Sequence, residues 1–154
     1  MTDHDYSIRE NRMPLQALTI RPYRPADHES LVALWNTVFP DDPPWNEPGK
    51  LIQTKLTVQP ELLFVACQDT KIVGAIMAGF DGVRGWVHHL AVDPASRRQG
   101  IATTLMRAAE SGLHQLGCPK VNLQVRSTNL EVIQFYQALG YDLEERASLG
   151  KRLV

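Results

Sequence analysis

The chain carries only two cysteines, Cys67 and Cys118, in 154 residues. Cys67 lies in an apolar run and Cys118 in a Gly-Cys-Pro loop, so both read as reduced thiols, not a bridging pair. No Cys/His spacing suits a metal, and none is expected as a cofactor. No apolar run reaches the roughly 20 residues that cross a bilayer, so no membrane contact is expected. The opening stretch, MTDHDYSIRENRMPLQ, has no apolar core of the signal-peptide kind, and a cytoplasmic location is the expectation. Charge of one sign is missing too. Lys and Arg number 16 against 17 Asp and Glu, a formal net charge of -1. That leaves no bulk electrostatic pull toward nucleic acid, and no nucleic-acid partner is expected. Internal repeats and low-complexity tracts are also absent.

What is present suits one globular domain. The chain is 44% hydrophobic and 21% charged, enough for a core of its own. Residues 1–17 show no period and read as a flexible N-terminal tail, with the domain spanning 18–154. Residues 18–23 alternate as a strand. A helix follows, with Asp27 as its N-cap and Leu31, Leu34, Trp35 and Val38 on one apolar stripe. The prolines of PDDPPWNEP, residues 40–48, exclude helix and central strand there. A short helix over 50–58 comes next. Strands are predicted over 62–68, 72–80 and 85–92, the last two joined by an Asp81-Gly82 reversal. A long helix over 99–116 would bury Ala102, Leu105, Met106, Ala109, Leu113 and Leu116. A strand over 121–126 and a helix ending at Gly140 follow, then two strands, 141–147 and 149–154. Hairpins first and a strand-helix-strand unit later predict a mixed sheet, antiparallel then parallel.

The chain is organised around LAVDPASRRQGIATTLM, residues 90–106. An apolar strand ends at Val92, Asp93-Pro94 turns the chain, and Gly100-Ile101-Ala102 opens the long helix. The first amides of a helix lack internal partners and carry partial positive charge, which suits an anion and above all a phosphate. Gly100 permits close backbone approach to a ligand, and Arg97 and Arg98 add charge at that end.

This segment resembles R-x-x-G-x-A, the pyrophosphate-binding signature of the GNAT superfamily of N-acetyltransferases. A second run, NLEVIQFYQALGY over 129–141, is similar to the family pattern N-x-x-A-x-x-[LF]-Y-x-x-x-G-[FY], with Val132 where Ala is usual. The resemblance covers roughly residues 18–154. It looks closest to the bacterial YpeA-like branch, through PWN at 45 and its neighbours, the DGxRG turn, GCPK and the terminal LGKRL. It implies an α+β fold layered α/β/α. The sheet would be mixed and six- to seven-stranded, with a parallel splayed pair at its centre and about four flanking helices. It implies acetyl-CoA as co-substrate and an amine as acceptor. A homodimer is compatible with the family.

The resemblance also distributes roles. Arg97, Arg98, Gln99, Gly100, Ile101, Ala102 and Thr103 would hold the diphosphate, mainly through backbone amides. The strand end at Leu90, Ala91 and Val92 would pair with the pantetheine arm and offer an amide to the thioester oxygen. Asn129 and Tyr136 stand seven residues apart, nearly two helical turns, and so point the same way. Asn129 would reach the pantetheine arm, or else serve as a helix cap. Tyr136 would protonate the departing thiolate. Trp45, Asn46 and Trp86 are the acceptor-side candidates, with Trp45 equally readable as a loop plug. Many relatives carry a Glu base on the fifth strand, but here LQVRSTN puts Gln124 there. The substitute is His88, at the position where arylalkylamine-acetylating relatives place a histidine, with His89 as the alternative. Strict alternation would put Trp86, His88 and Leu90 on one face and Val87, His89 and Ala91 on the other.

The expected reaction is direct acetyl transfer to a primary amine, without a covalent acyl-enzyme. Protein N-terminal α-amines are an alternative acceptor, because LQVRSTN resembles the run in the ribosomal-protein acetylating branch. A non-catalytic acyl-CoA-binding regulatory module is the alternative of another class.

Overall fold

The structure, a computed structural model, describes residues 17–154. Apart from Ala17, the tail expected at 1–17 lies outside the described residues. The elements run β1 (Leu18–Pro22), α1 (His28–Val38), α2 (Pro48–Lys55), β2 (Leu63–Gln68), β3 (Lys71–Phe80), β4 (Gly85–Val92), α3 (Ile101–Gln115), β5 (Val121–Asn122) and α4 (Leu130–Ala138). The sheet order is β1-β2-β3-β4-β5. The first three pairings are antiparallel and β4–β5 is parallel, as the connection pattern predicts.

Helices cover both faces of the sheet, so the fold is α+β with three layers. On one face α3 buries Leu105, Met106, Ala109 and Leu113 against Ala66, Val73, Ile76 and Val87. On the other, α1 and α2 bury Leu31, Leu34, Trp35 and Ile52 against Leu63, Val65, Ala75 and Ala91. Each fully buried Leu or Ile contributes roughly 1.5–3 kcal/mol relative to exposure. The 3.6-residue stripes of α1 and α3 are therefore what orient those helices. Gly112 lets α3 come close: a Cβ there would stand 2.7 Å from Leu62 Cδ2.

Several expectations need correction. Among the described residues the sheet has five strands, not six or seven. Residues 141–154 form neither strand, and every side chain from Asp142 onward is exposed. With no buried face, nothing sets a strand register there. Side chains hold the segment instead, through Lys120 Nζ to Glu144 Oε1 at 2.6 Å and Asn122 Nδ2 to the same oxygen at 3.1 Å. β5 shrinks to two residues, and the parallel pair therefore sits at the sheet's edge instead of its centre. Leu116 is exposed beyond the end of α3. Asp27 does not cap α1 with its side chain. Its carboxylate takes a paired bond from Arg21 Nη1 and Nη2 at 2.7 and 2.8 Å and accepts the Arg24 amide. The Arg21 bonds hold its pKa below the ordinary carboxylate value. The second helix starts at Pro48, two residues before the expected start, because Glu47 accepts the Gly49 and Lys50 amides at 2.9 Å each.

Face alternation along β4 also fails, at one residue. The β3–β4 register runs from Ala75↔Ala91 to Met77↔His88, so His89 and Leu90 together oppose Ile76. His89 has φ 51, a left-handed conformation. This β-bulge resets the alternation. Val87 and Leu90 now share the α3 face, while His89 joins Ala91 on the α1 face.

Candidate active site

The loop between β4 and α3 is built from local bonds. Asp93 Oδ1 accepts the Ala95 amide at 2.9 Å, and the Asp93 amide donates to Val73 O at 2.8 Å. Arg98 and Gly100 both have positive φ, 64 and 76. The first helical bond of α3 runs from the Thr104 amide to Gly100 O at 3.1 Å. The amides of Ile101, Ala102 and Thr103 precede it, and so end the helix as open donors. A Cβ on Gly100 would meet nothing within 4 Å, so its left-handed backbone, not crowding, selects glycine. Arg97, Arg98 and Gln99 are exposed, with Gln99 Oε1 accepting from Gln68 Nε2 at 2.8 Å. An exposed arc of donors with two cationic side chains can hold a diphosphate.

β4 and β5 pair only at Gly85↔Val121 and Trp86↔Asn122. Past Trp86 the chains part, and the β5-facing edge of β4 has no strand partner through Val92. The edge runs directly into the loop at Asp93. This free edge of β4, with Ala91 and Val92 paired to β3 on the other side, leads from Leu90 to the anion-holding arc.

α4 packs Phe135 and Tyr136 on the same core cluster as Leu90 and Val92. Tyr136 packs edge-on against Phe135 and Tyr141, at ring-centroid distances of 5.0 and 5.8 Å. Burial pushes its phenol up to about 12, so it stays protonated through the neutral range. Tyr141 is raised as well, by burial first and then by Glu110, whose Oε2 accepts its hydroxyl at 3.3 Å. Asn129 caps α4, its Oδ1 accepting the Val132 amide at 3.4 Å. Asn129 thus stands at the N-cap, before the helical span that carries Tyr136, and the cap engages its side-chain carbonyl.

On the α1 face, β4 presents two imidazoles. His88 is open to solvent on one side and surrounded by protein on the other. Desolvation, then His89 and Lys55, hold it below the ordinary imidazole value. Lys55 itself is buried, lowered by desolvation, and donates to Ala78 O at 2.5 Å and Val58 O at 2.9 Å. His89 was placed by alternation on the far face, and the bulge brings it to this one. Its Nε2 meets Asp42 Oδ2 at 3.1 Å, and its carbonyl accepts from Trp35 Nε1 at 3.2 Å. A cavity of about 180 Å³ opens beside it, lined by Trp35, Phe39, Asp42, Pro43 and Asn46 among others.

The acceptor-side candidates separate. Asn46 lines this cavity. Trp45 does not; it is 55% exposed and carries the Arg152 guanidinium 3.8 Å above its ring. Trp86 is half-buried on β4, opposite Gly79. Gln124 is exposed and donates to Ser148 Oγ at 2.5 Å. Asp42 carries no signal in the sequence, and alternation sets His89 on the opposite face. A contact 47 positions apart and a one-residue bulge leave no periodic signal.

Comparison with known proteins identifies the family. An acetyltransferase of Pectobacterium atrosepticum is 40% identical over 137 residues, covering 89% of this chain and 96% of that protein. An uncharacterized N-acetyltransferase of Yersinia pestis matches with the same identity and coverage. Among solved structures, Ard1 from Thermoplasma volcanium superposes with a TM-score of 0.74 at 29% identity, over 83% of this chain and 84% of that one. The aminoglycoside N-acetyltransferase AAC(6')-Iy, solved with CoA, shares the fold at a TM-score of 0.75 and 20% identity, over 90% of this chain and 96% of its own. The Acetyltransferase (GNAT) family model matches residues 27–141, from the end of β1's connection through α4. With most of the domain inside that match, and relatives at 40% identity over nearly all of it, the chain belongs to the GNAT family and is an acetyltransferase.

Proposed function

We propose that the protein transfers an acetyl group directly from acetyl-CoA to a primary amine. The observation that carries this reading is the parting of β4 from β5 after Trp86, with its free edge leading into the Gly100 arc. Arg97, Arg98 and the Gln99–Thr103 amides hold the diphosphate. Leu90, Ala91 and Val92 hold the pantetheine arm as an added strand would, and an amide there stabilises charge on the thioester oxygen. Coenzyme A supplies the acetyl group as a thioester. The known complex of AAC(6')-Iy with CoA supports a CoA site on this fold.

Tyr136 gives its proton to the leaving sulfur. Its raised pKa keeps that proton available at any physiological pH. A thiolate forming in the same dry pocket is raised by the same burial, which keeps the transfer feasible. Neither cysteine offers a relay: Cys67 is buried in β2 and Cys118 beneath Gly85. An imidazole on β4 takes the proton from the amine. Trp86 and the PWN turn at Trp45 and Asn46 frame the acceptor.

Transfer to an α-amine is the second reading. A lysine-type amine near pKa 10.4 gives up roughly 4.6 kcal/mol in available nucleophile at pH 7, against about 1 kcal/mol for an α-amine. Gln124 in place of a carboxylate favours the less basic acceptor. Release of coenzyme A thiol across a panel of α-amines, aliphatic amines and aminoglycosides tests both readings. Turnover with acetyl-CoA is expected on at least one amine class. Coenzyme A binding without turnover on any would overturn direct transfer.

A further inference from the structure

From the bulge geometry we propose that His89, oriented by Asp42, is the general base that deprotonates the acceptor amine, and that the cavity beside it seats the amine head. The inference rests on the acetyl-transfer reading above and adds to it the residue that takes the proton.

The bulge places the His89 ring on the acceptor face, one residue before the proposed thioester-binding edge. Trp35 and Phe39 clamp the ring, each centroid 5.3 Å away, and its side chain is only 17% exposed. Asp42 approaches Nε2 alone. A carboxylate at Nε2 makes that nitrogen the N–H donor, so Nδ1 carries the free lone pair. Asp42 also stabilises the imidazolium once a proton arrives. Among the described residues His88 has no such partner, and burial and the neighbouring His89 disfavour its protonated form.

The charged groups around His89 are few. Asp42 faces it from the loop after α1, and His88 adjoins it on β4. Glu47 lines the cavity, but its carboxylate is engaged by the Gly49 and Lys50 amides. Lys55 lies farther along, at Ala78 and Gly79, nearer His88 than His89. Pockets for drug-sized ligands run about 300–1,000 Å³. At about 180 Å³ this cavity suits a slender amine head with an apolar stem, whose remainder lies outside.

The step balances without another reactant. His89 Nδ1 takes a proton from R–NH3+, and the free amine forms a C–N bond to the acetyl carbon as the C–S bond breaks. Tyr136 protonates the sulfur and regains a proton from the acylated nitrogen. The proton on His89 leaves to solvent.

The test uses the full chain with acetyl-CoA and the amine panel, and pH profiles of kcat/KM for wild type, H89Q, H88Q and D42N. H89Q should lose about 100-fold or more and its acidic limb, while coenzyme A affinity stays within threefold of wild type and so reports an intact fold. D42N should lose about tenfold, and H88Q should stay within threefold. The same loss in H88Q, with H89Q near wild type, overturns the assignment. Imidazole 15N shifts give a readout without turnover: His89 protonated at Nε2 in wild type and mixed in D42N is expected. Protonation at Nδ1 overturns it. If wild type acetylates no amine, the acetyl-transfer reading fails, while the 15N result still decides how Asp42 orients His89.

Discussion

Two loops flank β4, and they present different groups. The loop from Asp93 to Gly100 presents backbone: amides, two positive-φ residues and the open end of α3. The loop from Pro40 to Glu47 presents side chains: Asp42 on His89, Asn46 in the cavity and Trp45 under Arg152. In the proposed reading, backbone donors take the diphosphate that all acyl-CoA donors share, and side chains choose among acceptors.

Substitutions on each side sharpen that contrast. The largest effect belongs to Tyr136. Tyr136→Phe should cut kcat by about 100-fold or more and leave the KM for acetyl-CoA nearly unchanged, measured by thiol release. The same variant tests the burial of the phenol. Its pKa is raised in the folded state to about 12. The stability it contributes is therefore complete below the unfolded value of about 10 and is lost as pH climbs through about 12. Denaturant midpoints at pH 9 and pH 11.5 should fall further for wild type than for Tyr136→Phe.

Gly100→Val comes next. A β-branched side chain at φ 76 is strained by about 1–2 kcal/mol and stands in the open space before α3. Coenzyme A affinity should drop at least tenfold by calorimetry. An unchanged affinity would detach the diphosphate from this loop. The smallest effect is expected from Arg152→Ala. It removes a surface cation–π contact of about 0.5–1 kcal/mol, so melting should barely move. The KM for the amine should rise a few-fold while that for acetyl-CoA stays fixed. A change in the acetyl-CoA KM instead would break the division between the two sides.

The donor side and the layered core were legible in the sequence because they rest on periodic or local signals. The stripes of α1 and α3 put Leu31, Leu34, Leu105 and Leu113 where they are buried, and the strand-loop-helix run over 90–106 folds from neighbours in sequence. The acceptor side was not. Its histidine reaches the α1 face through a single-residue bulge, which alternation cannot express. Its carboxylate partner comes from a proline-rich loop with no period. The two strands expected after Tyr141 failed for a related reason. LEERASLGKRLV can alternate, but exposed on all sides it gains nothing from a fixed register.

The central claim is that the diphosphate lies on the Gly100 arc and the thioester on the free edge of β4. Backbone amide NMR during a coenzyme A titration tests it most directly. The account predicts saturable shifts centred on Gly100 to Thr103 and on Leu90 to Val92, with β1 and β2 unmoved. Saturable binding that leaves both segments unshifted would contradict it.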